Sequence, residues 1–308
     1  MTRYYSINNY LKKIFNKRVY KVSIDANLGC PNRDGKKAYG GCIYCDKNGS
    51  SSRTQEKNLS IRDQVINNIL IRKTRYKAKK FICYFQSFTN TYANVDYLKK
   101  LYDEAITAHP DIVGLSISTR ADSIDEEKVK LIASYRKYLP YVSIELGLQS
   151  VHDKTSILTN RHEKFTDFLK ALDIINKYKL HSVAHIILGL PNETYDDMIK
   201  SADIISKLNL SGIKIHLLTA LKNTILEKWY KEDKYIPMQK NKFIEIATDF
   251  IERMPKDFII YRTSGSGYAK DIIAPTYIYD DKFQILNEIN NLLIKRNSHQ
   301  GKLFNIFC

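Results

Sequence analysis

Short apolar runs alternate with longer amphipathic segments along most of the chain. This alternation predicts a repeated strand–helix unit, which is typical of a parallel β-sheet covered by helices. Strands are expected at residues 20–25, 80–86, 112–118, 141–147, 182–188 and 212–218. Helices are expected between them at residues 60–77, 94–108, 124–138, 163–179 and 193–207.

Four of the predicted strands alternate apolar and polar side chains with a period of two. The apolar face comprises Val113, Leu115, Ile117, Val142, Ile144, Leu146, Ala184, Ile186, Leu188, Ile213, Ile215 and Leu217. The opposite face comprises Ser116, Ser118, Ser143, Glu145, Gly147, Val183, His185, Ile187, Lys214 and His216. Because successive side chains of a strand point to opposite sides, we expect the apolar face to pack against the helices and the polar face to line the concave side of the sheet.

The polar inner face sets this sheet apart from a complete eight-stranded barrel, whose interior is filled by bulky branched side chains. Six strands leave the curved sheet open, with room for a cofactor and a large substrate. The sequence therefore predicts an α/β fold, a partial (βα)6 TIM barrel formed by residues 1–230. Residues 231–308 are expected to form a small α+β extension that caps the open edge, with helices near 238–254 and 282–296 and a further segment at 259–267.

Three cysteines lie in a glycine-rich loop directly after the first predicted strand: Cys30, Cys42 and Cys45. Their clustering indicates a metal or iron–sulfur site. A structural zinc site or an electron-transfer cluster normally has four protein ligands, so three thiols leave one coordination position free for chemistry. Cys83 lies in an apolar run and is expected in the core. A disulfide framework is disfavoured because the chain has only five cysteines, an odd number.

Charge is the second strong signal. The chain has 49 Lys and Arg against 33 Asp and Glu, a net charge of +16, which favours a polyanionic partner such as nucleic acid. The alternative is a lysine-rich solvated surface, for example along residues 72–80. No apolar signal region or membrane-length stretch is visible, so we expect a cytoplasmic protein without a membrane partner.

Several ordered motifs resemble the radical S-adenosylmethionine (SAM) superfamily, in the bacterial, MnmL-like branch related to the catalytic subunit of Elongator. The similarity extends over almost the whole chain. The motifs lie at residues 30–35, 40–45, 84–92, 116–122, 145–150, 160–162, 185–191 and 214–216.

The resemblance implies that Cys30, Cys42 and Cys45 bind three irons of a [4Fe-4S] cluster, and that the fourth iron binds SAM. Reductive cleavage of SAM would then give a 5′-deoxyadenosyl radical that abstracts hydrogen from an unreactive carbon. An electron donor such as flavodoxin or ferredoxin is expected. No second cysteine cluster is present in the sequence, so no auxiliary iron–sulfur centre is expected.

The resemblance also implies which side chains contact the cofactor. Tyr44 matches an aromatic residue near the adenine, Glu145 and Gln149 match positions near the ribose and methionine, and Arg161 matches a partner of the methionine carboxylate. The remaining cofactor-binding candidates are Gln86, Ser118, Arg120 and His185.

The chain departs from the family pattern at three points. First, eleven and two residues separate the cysteines, which differs from the spacing in many radical SAM enzymes but is shared by this branch. Residues 85–87 replace the usual Gly-Gly-Glu motif, which makes Gln86 the expected contact of the methionine amino group. His185 occupies a position where related enzymes often have Asp.

For the substrate, the resemblance and the charge both point to tRNA, specifically to the substituent on carbon 5 of the wobble uridine. The resemblance to the MnmL-like branch implies the conversion of carboxymethylaminomethyl to aminomethyl at that position. Lys214 and His216 are candidates for binding a substrate carboxylate or phosphate and for handling protons; the alternative is that they complete a core network. Two other functions stay open: a radical SAM reaction on a small metabolite or a peptide, and a non-enzymatic zinc-containing RNA-binding protein.

Overall fold

The computed structural model describes residues 2–49, 58–263, 269–280 and 282–304. In this part of the chain, seven strands form one parallel sheet in the order β1-β2-β3-β4-β5-β6-β8. The strands are β1 Val19–Ile24, β2 Lys80–Phe85, β3 Ile112–Thr119, β4 Tyr141–Gln149, β5 His181–Leu188, β6 Gly212–Leu217 and β8 Ile259–Thr263. Two short antiparallel strands, β7 Ala220–Leu221 and β9 Ile272–Ala274, form a second sheet. The main sheet is curled into a half-barrel.

Seven of the helices follow the sequence prediction within a few residues, namely α2, α3, α4, α6, α7, α9 and α11. The first six helices are α1 Ile7–Phe15, α2 Ile61–Tyr76, α3 Val95–Ile106, α4 Glu126–Ser134, α5 Asp153–Leu158 and α6 Phe165–Lys177. The others are α7 Tyr195–Ile205, α8 Ile225–Lys231, α9 Lys240–Arg253, α10 Tyr277–Asp280 and α11 Lys282–Lys295. Among these helices, none combines the length and the apolarity that a membrane crossing requires.

Helix starts in the sequence explain why these predictions succeed. Helix α7 begins after Thr194, whose hydroxyl accepts the Asp197 N–H at 3.2 Å while the Asp197 carboxylate accepts the Thr194 N–H at 3.0 Å. This reciprocal capping satisfies two N–H groups that the helix itself leaves unpaired. Helix α2 has a similar start, since Ser60 accepts the Asp63 N–H at 3.0 Å.

The predicted division of the sheet into an apolar and a polar face is confirmed for β4, β5 and β6 and for most of β3. The apolar residues of these strands lie in the main hydrophobic core beneath the helices. Val113 is the exception. Phe81 pairs with Ile112, but Ile82 already pairs with Gly114, so β3 carries one extra residue at a bulge.

The bulge moves Val113 off the predicted face. Val113 packs in a separate cluster with Leu11 of α1, Ile82 and Tyr141, while Ile112 joins the main core. The prediction for Val113 is therefore wrong, because the alternation of residues along one strand does not reveal an extra residue relative to its neighbour.

The sheet also has one strand more than the six predicted. Strand β8 pairs in parallel with β6, and its Ile260 N–H donates to the Tyr5 carbonyl at 2.9 Å. The segment at 259–267 was expected to cap the open edge; its residues 259–263 extend the sheet instead, and residues 264–267 lie outside the described residues. Helix α9 packs against α7 and α11. The division of the chain at residue 230 stays a prediction.

Gly212, at the start of β6, leaves no space for a side chain. A Cβ there would lie 2.3 Å from the Ile259 carbonyl oxygen and 2.8 Å from the Tyr261 ring. We expect Gly212→Ala to lower the free energy of unfolding by about 1–3 kcal/mol, the usual cost of overpacking. Urea unfolding followed by circular dichroism measures the change, with the exposed Asn209→Ala in the preceding turn as control. Equal midpoints for the two variants would contradict the close pairing of β6 and β8.

Candidate functional site

A cavity of about 220 Å³ lies at the carboxyl ends of the parallel strands, where α/β folds generally bind their ligands. Residues far apart in the sequence meet there. The predicted site residues that line it are Cys30, Cys42, Tyr44, Cys45, Gln86, Ser118, Arg120, Gln149, Arg161, His185, Lys214 and His216. Glu145, the remaining predicted site residue, is fully buried and is not part of the lining.

The cysteine loop is held by backbone and amide contacts. Asn160 donates its side-chain amide to the Gly41 carbonyl at 2.8 Å, and the Gly41 N–H donates to the Asn32 carbonyl at 2.8 Å. The Asn32 amide in turn contacts the Cys42 sulfur at 3.7 Å and the Asn160 carbonyl. Gly41 has a φ of 85°, a conformation that glycine adopts without strain. The loop after α5 therefore fixes where Cys42 faces the cavity.

Cys83 lies away from this loop. It is fully buried on β2, its thiol donates to the Ala105 carbonyl at 3.4 Å, and burial raises its pKa. Its prediction as a core residue is confirmed. Cys308 lies outside the described residues.

Within the described ranges, no three His, Cys, Asp or Glu side chains converge on one metal ion. An iron–sulfur cluster does not require such convergence on one metal ion, because each of its cysteine ligands binds a separate iron.

Two buried arginines form part of the cavity wall. Arg120 donates to both carboxylate oxygens of Asp122, at 2.9 and 2.7 Å, and Arg161 pairs with Glu163. Burial opposes their charge, but the neighbouring carboxylates raise the pKa of both guanidinium groups. Arg120 Nη1 and Arg161 Nε are buried without a hydrogen-bond partner in the described part of the chain. The arginines are thus held in place and keep N–H groups free for a ligand.

The Glu145 carboxylate accepts hydrogen bonds from donors on five other strands of the main sheet. Two of these donors are ammonium groups, so the one carboxylate makes two ion pairs. The donors are Lys21 on β1, Tyr84 on β2 at 3.1 Å, Ser116 on β3 at 2.7 Å, His185 on β5 at 2.7 Å and Lys214 on β6 at 2.9 Å. Both carboxylate oxygens are therefore occupied by the protein. Its role as a ribose contact stays a prediction, and the observed contacts favour a structural role.

Burial shifts the proton affinity of the basic groups above this carboxylate. It lowers the pKa of Lys214 to about 7, against the opposing attraction of Glu145. It also lowers the pKa of His185 to about 4 and that of His216 well below the usual range. Both imidazoles are therefore neutral near pH 7, whereas Lys214 exchanges its proton in that range.

The other predicted cofactor contacts also form part of the cavity wall. Tyr44 packs beside the apolar cluster of Leu190 and Leu218, and the Gln86 amide donates to Ser23 Oγ at 2.9 Å. Gln149 has a φ of 68° at the end of β4, which turns the chain toward the loop that carries Arg161. The Ser118 carbonyl accepts from the Asn90 amide at 2.9 Å.

Sequence reasoning missed Lys21, Asn32, Glu163 and Arg262. Lys21 could have been found from the alternation in β1, because Val22 and Ile24 face the helices and leave Lys21 on the inner face. Glu163 directly follows the motif at 160–162. Arg262 required knowledge that residues 259–263 form a strand of the main sheet.

We expect Glu145→Gln to lower the free energy of unfolding by about 3–5 kcal/mol near pH 6, because the change leaves the buried Lys214 and the half-buried Lys21 without their carboxylate. Without Glu145, the folded-state pKa of Lys214 falls below about 7, whereas the unfolded lysine keeps its higher value. The unfolded state then binds more protons, so the stability of the variant rises with pH and its deficit shrinks toward about pH 9.

Urea unfolding at several pH values measures this dependence, with the exposed Glu127→Gln as control for the loss of one carboxylate. A deficit for Glu145→Gln that is small, or constant between these pH values, would contradict the role assigned to this ion-pair network.

The comparisons with known proteins agree on one family. The radical SAM superfamily model matches residues 28–205, and the radical SAM C-terminal domain model matches residues 210–295. The protein YtqA of Bacillus subtilis is 36% identical over 98% of this chain and 93% of its own length. A tRNA uridine(34) acetyltransferase of Dehalococcoides mccartyi is 26% identical over 48% of this chain and 32% of that protein.

The structural comparison supports the half-barrel fold. The structure of the archaeal Methanocaldococcus infernus Elp3 with an N-terminal deletion has a TM-score of 0.70 and 16% identity, and the match covers 94% of this chain and 67% of that one.

Radical SAM proteins use a [4Fe-4S] cluster and SAM, and the cavity wall fits both. The three thiols of the cysteine loop match in number the three irons that would need protein ligands if the fourth bound SAM. The free N–H groups of Arg120 and Arg161 suit the SAM carboxylate, and no Asp or Glu is found among the lining residues. On the family match, the relatives and this fit, the chain belongs to the radical SAM superfamily.

Proposed function

We propose that this radical SAM enzyme modifies tRNA by converting the carboxymethylaminomethyl group on carbon 5 of the wobble uridine to aminomethyl. The observation that carries the proposal is the charge of the cavity. Its lining includes five basic side chains and no acidic one, in a chain with a net charge of +16. The basic lining residues are Arg33, Arg120, Arg161, Lys214 and Arg262. An anionic substrate on an anionic polymer matches this charge.

The relatives support tRNA as the substrate class. The Dehalococcoides mccartyi protein is named for its action on uridine 34 of tRNA, and it shares sequence with about half of this chain. The chain also shares its fold with the archaeal Elp3. We propose that this protein, like the relative named for it, acts on a uridine of tRNA.

The cofactors supply, when bound, a radical able to abstract hydrogen from an unreactive carbon. In the proposed arrangement, Cys30, Cys42 and Cys45 hold the cluster. The side chains proposed to surround SAM are Tyr44, Gln86, Ser118, Arg120, Gln149, Arg161 and His185. Of these side chains, Arg120, Arg161 and His185 are buried, and the other four are half-buried. A small carrier such as flavodoxin or ferredoxin is the proposed electron donor.

The proposed conversion is a two-electron oxidation of the substituent, with water and SAM as co-reactants. The bond between the aminomethyl nitrogen and the carboxymethyl carbon breaks, and water supplies the aldehyde oxygen of the glyoxylate that leaves. SAM takes up two electrons in total and ends as methionine and 5′-deoxyadenosine, and one proton is released. The electron that the donor supplies to start the cleavage of SAM is returned by the substrate radical, so the donor is not consumed. Lys214, with a pKa of about 7, is the proposed group that exchanges protons during this conversion.

Loss of one cluster ligand tests the metal assignment. After anaerobic reconstitution we expect about four irons and four sulfides per chain in the native protein. Cys42→Ala should lose most of this iron, because the thiolate that binds one of the irons is removed. Cys83→Ala is the matched control and should retain the cluster, since Cys83 lies in the core. Unchanged iron in Cys42→Ala, or one zinc in place of the cluster, would contradict the assignment.

Turnover tests the substrate. The cluster-loaded protein is incubated anaerobically with SAM, dithionite and bulk tRNA that carries carboxymethylaminomethyluridine, and the digested nucleosides are measured by mass spectrometry. We expect aminomethyluridine to appear as carboxymethylaminomethyluridine disappears, with one 5′-deoxyadenosine for each conversion. Cys42→Ala should form neither product. SAM cleavage that tRNA does not stimulate would contradict tRNA as substrate and would favour a small metabolite or a peptide.

A further inference from the structure

The deep end of the cavity carries more positive charge than the protein itself neutralises. Lys214 on β6 and Arg262 on β8 are register partners, so their side chains leave neighbouring strands on the same face of the sheet. Both line the cavity together with His216. We call Lys214, His216 and Arg262 the floor site.

Only one carboxylate, that of Glu145, pairs with any of the three cations Lys21, Lys214 and Arg262 in the described part of the chain. Glu145 pairs with Lys21 and Lys214, and its two oxygens already accept five hydrogen bonds. Among the described residues, no carboxylate lies within ion-pair distance of Arg262. Placing an uncompensated guanidinium in a partly buried position is costly unless a ligand brings the counter-charge.

The pKa shifts of the neighbouring groups indicate the same excess of positive charge. Burial lowers the pKa of Lys214, and the positive charges of Lys21 and Arg262 lower it further. Burial also lowers the pKa of Arg262 itself, against the opposing influence of Tyr84 and Glu145, although neither carboxylate oxygen of Glu145 lies within ion-pair distance of it. Nδ1 of His216 is buried without a partner in the described part of the chain. An arriving carboxylate would offset the cationic charge, and a neutral His216 can donate one hydrogen bond to it.

We infer that the floor site binds the carboxylate of the substrate, and that it thereby selects a uridine substituent that ends in a carboxylate. This inference rests on the proposed function and adds the determinant of its substrate specificity. The planar guanidinium of Arg262 supplies two parallel donors to a carboxylate, and Lys214 supplies the second positive charge.

The SAM carboxylate has a better site elsewhere on the wall. The free N–H groups of Arg120 and Arg161 belong to the loops that follow β3 and α5, and Asn160, next to Arg161, donates to the carbonyl of Gly41, which precedes Cys42, at 2.8 Å. A SAM molecule held by the cluster would bring its carboxylate to that side. The floor site, on strands β6 and β8, would then be left for the substrate.

A phosphate-free probe tests the inference by binding. The probe is the nucleoside 5-carboxymethylaminomethyluridine, compared with its carboxamide, in calorimetric titrations of the protein loaded with cluster and SAM. We expect the native protein to bind the acid about 10- to 100-fold more tightly than the amide, as for charge-assisted hydrogen bonds to a carboxylate. Arg262→Gln should bring this ratio close to one, and Arg262→Lys should restore part of it.

The controls separate the possible causes of a change. Arg75→Gln removes an exposed arginine on α2 and should keep the native ratio. Any difference in amine basicity between acid and amide is common to all variants, so it cancels in the comparison. Thermal unfolding of each variant shows whether the protein is folded under the titration conditions, and the folded Arg262→Lys variant carries the test if Arg262→Gln fails to fold.

The outcomes distinguish this inference from the proposed function. A native ratio near one, or a ratio that Arg262→Gln leaves unchanged, overturns the floor site even where tRNA is converted. A native preference for the acid that Arg262→Gln removes supports the floor site even where no tRNA is converted; in that case the proposed tRNA reaction is wrong and another carboxylate substrate must be sought.

Discussion

The buried carboxylate of Glu145 holds the inner face of the half-barrel together. Its donors come from β1, β2, β3, β5 and β6, so one side chain on β4 connects six adjacent strands. A curved open sheet has no opposite wall to fill its concave side, and polar side chains there need partners inside the protein. Ion pairs in such a place contribute less to net stability than their number suggests, because desolvation offsets much of the attraction. Their larger effect is to fix where each polar side chain points.

This network lies next to the cavity but outside its lining, and Glu145 and Lys21 are already paired with each other. The cavity itself has two parts. The thiols of the cysteine loop and the arginines after β3 and α5 form one side, and Lys214, His216 and Arg262 form the other. The separation matters for catalysis, since the cofactor and the substrate both bring carboxylates and each must reach its own cations. Glu163 and Asp122 hold the arginines of the first side, whereas the cations of the second side outnumber their single carboxylate.

Much of the fold was predictable because local rules decide it. The period-two alternation of β4, β5 and β6 identified the inner face, and the longer amphipathic segments between the apolar runs identified the helices, whose starts are fixed locally by pairs such as Thr194 with Asp197. The parts that failed depend on neighbouring strands. The bulge at Val113 exists only relative to β2, and β8 is a five-residue strand whose place is set by the open edge of β6.

The candidate site likewise has a part that the sequence predicted and a part that it did not. The positions of the cysteines and arginines could be predicted from their motifs, and the cavity does bring them together. Their partners could not, because Asn32 with Asn160, Arg161 with Glu163 and Lys21 with Glu145 are chosen by the tertiary fold. Glu145 shows the consequence most clearly: its motif indicated a cofactor contact, while its surroundings give it five protein donors.

The most direct measurement is a crystal structure of the cluster-loaded protein with SAM and 5-carboxymethylaminomethyluridine. We expect the SAM carboxylate beside Arg120 and Arg161, the nucleoside carboxylate on Arg262 and Lys214, and Glu145 still bound to its lysines. A SAM carboxylate on Arg262, or a Glu145 carboxylate that leaves Lys21 and Lys214 to contact the SAM ribose, would contradict the division of the cavity into a cofactor side and a substrate side.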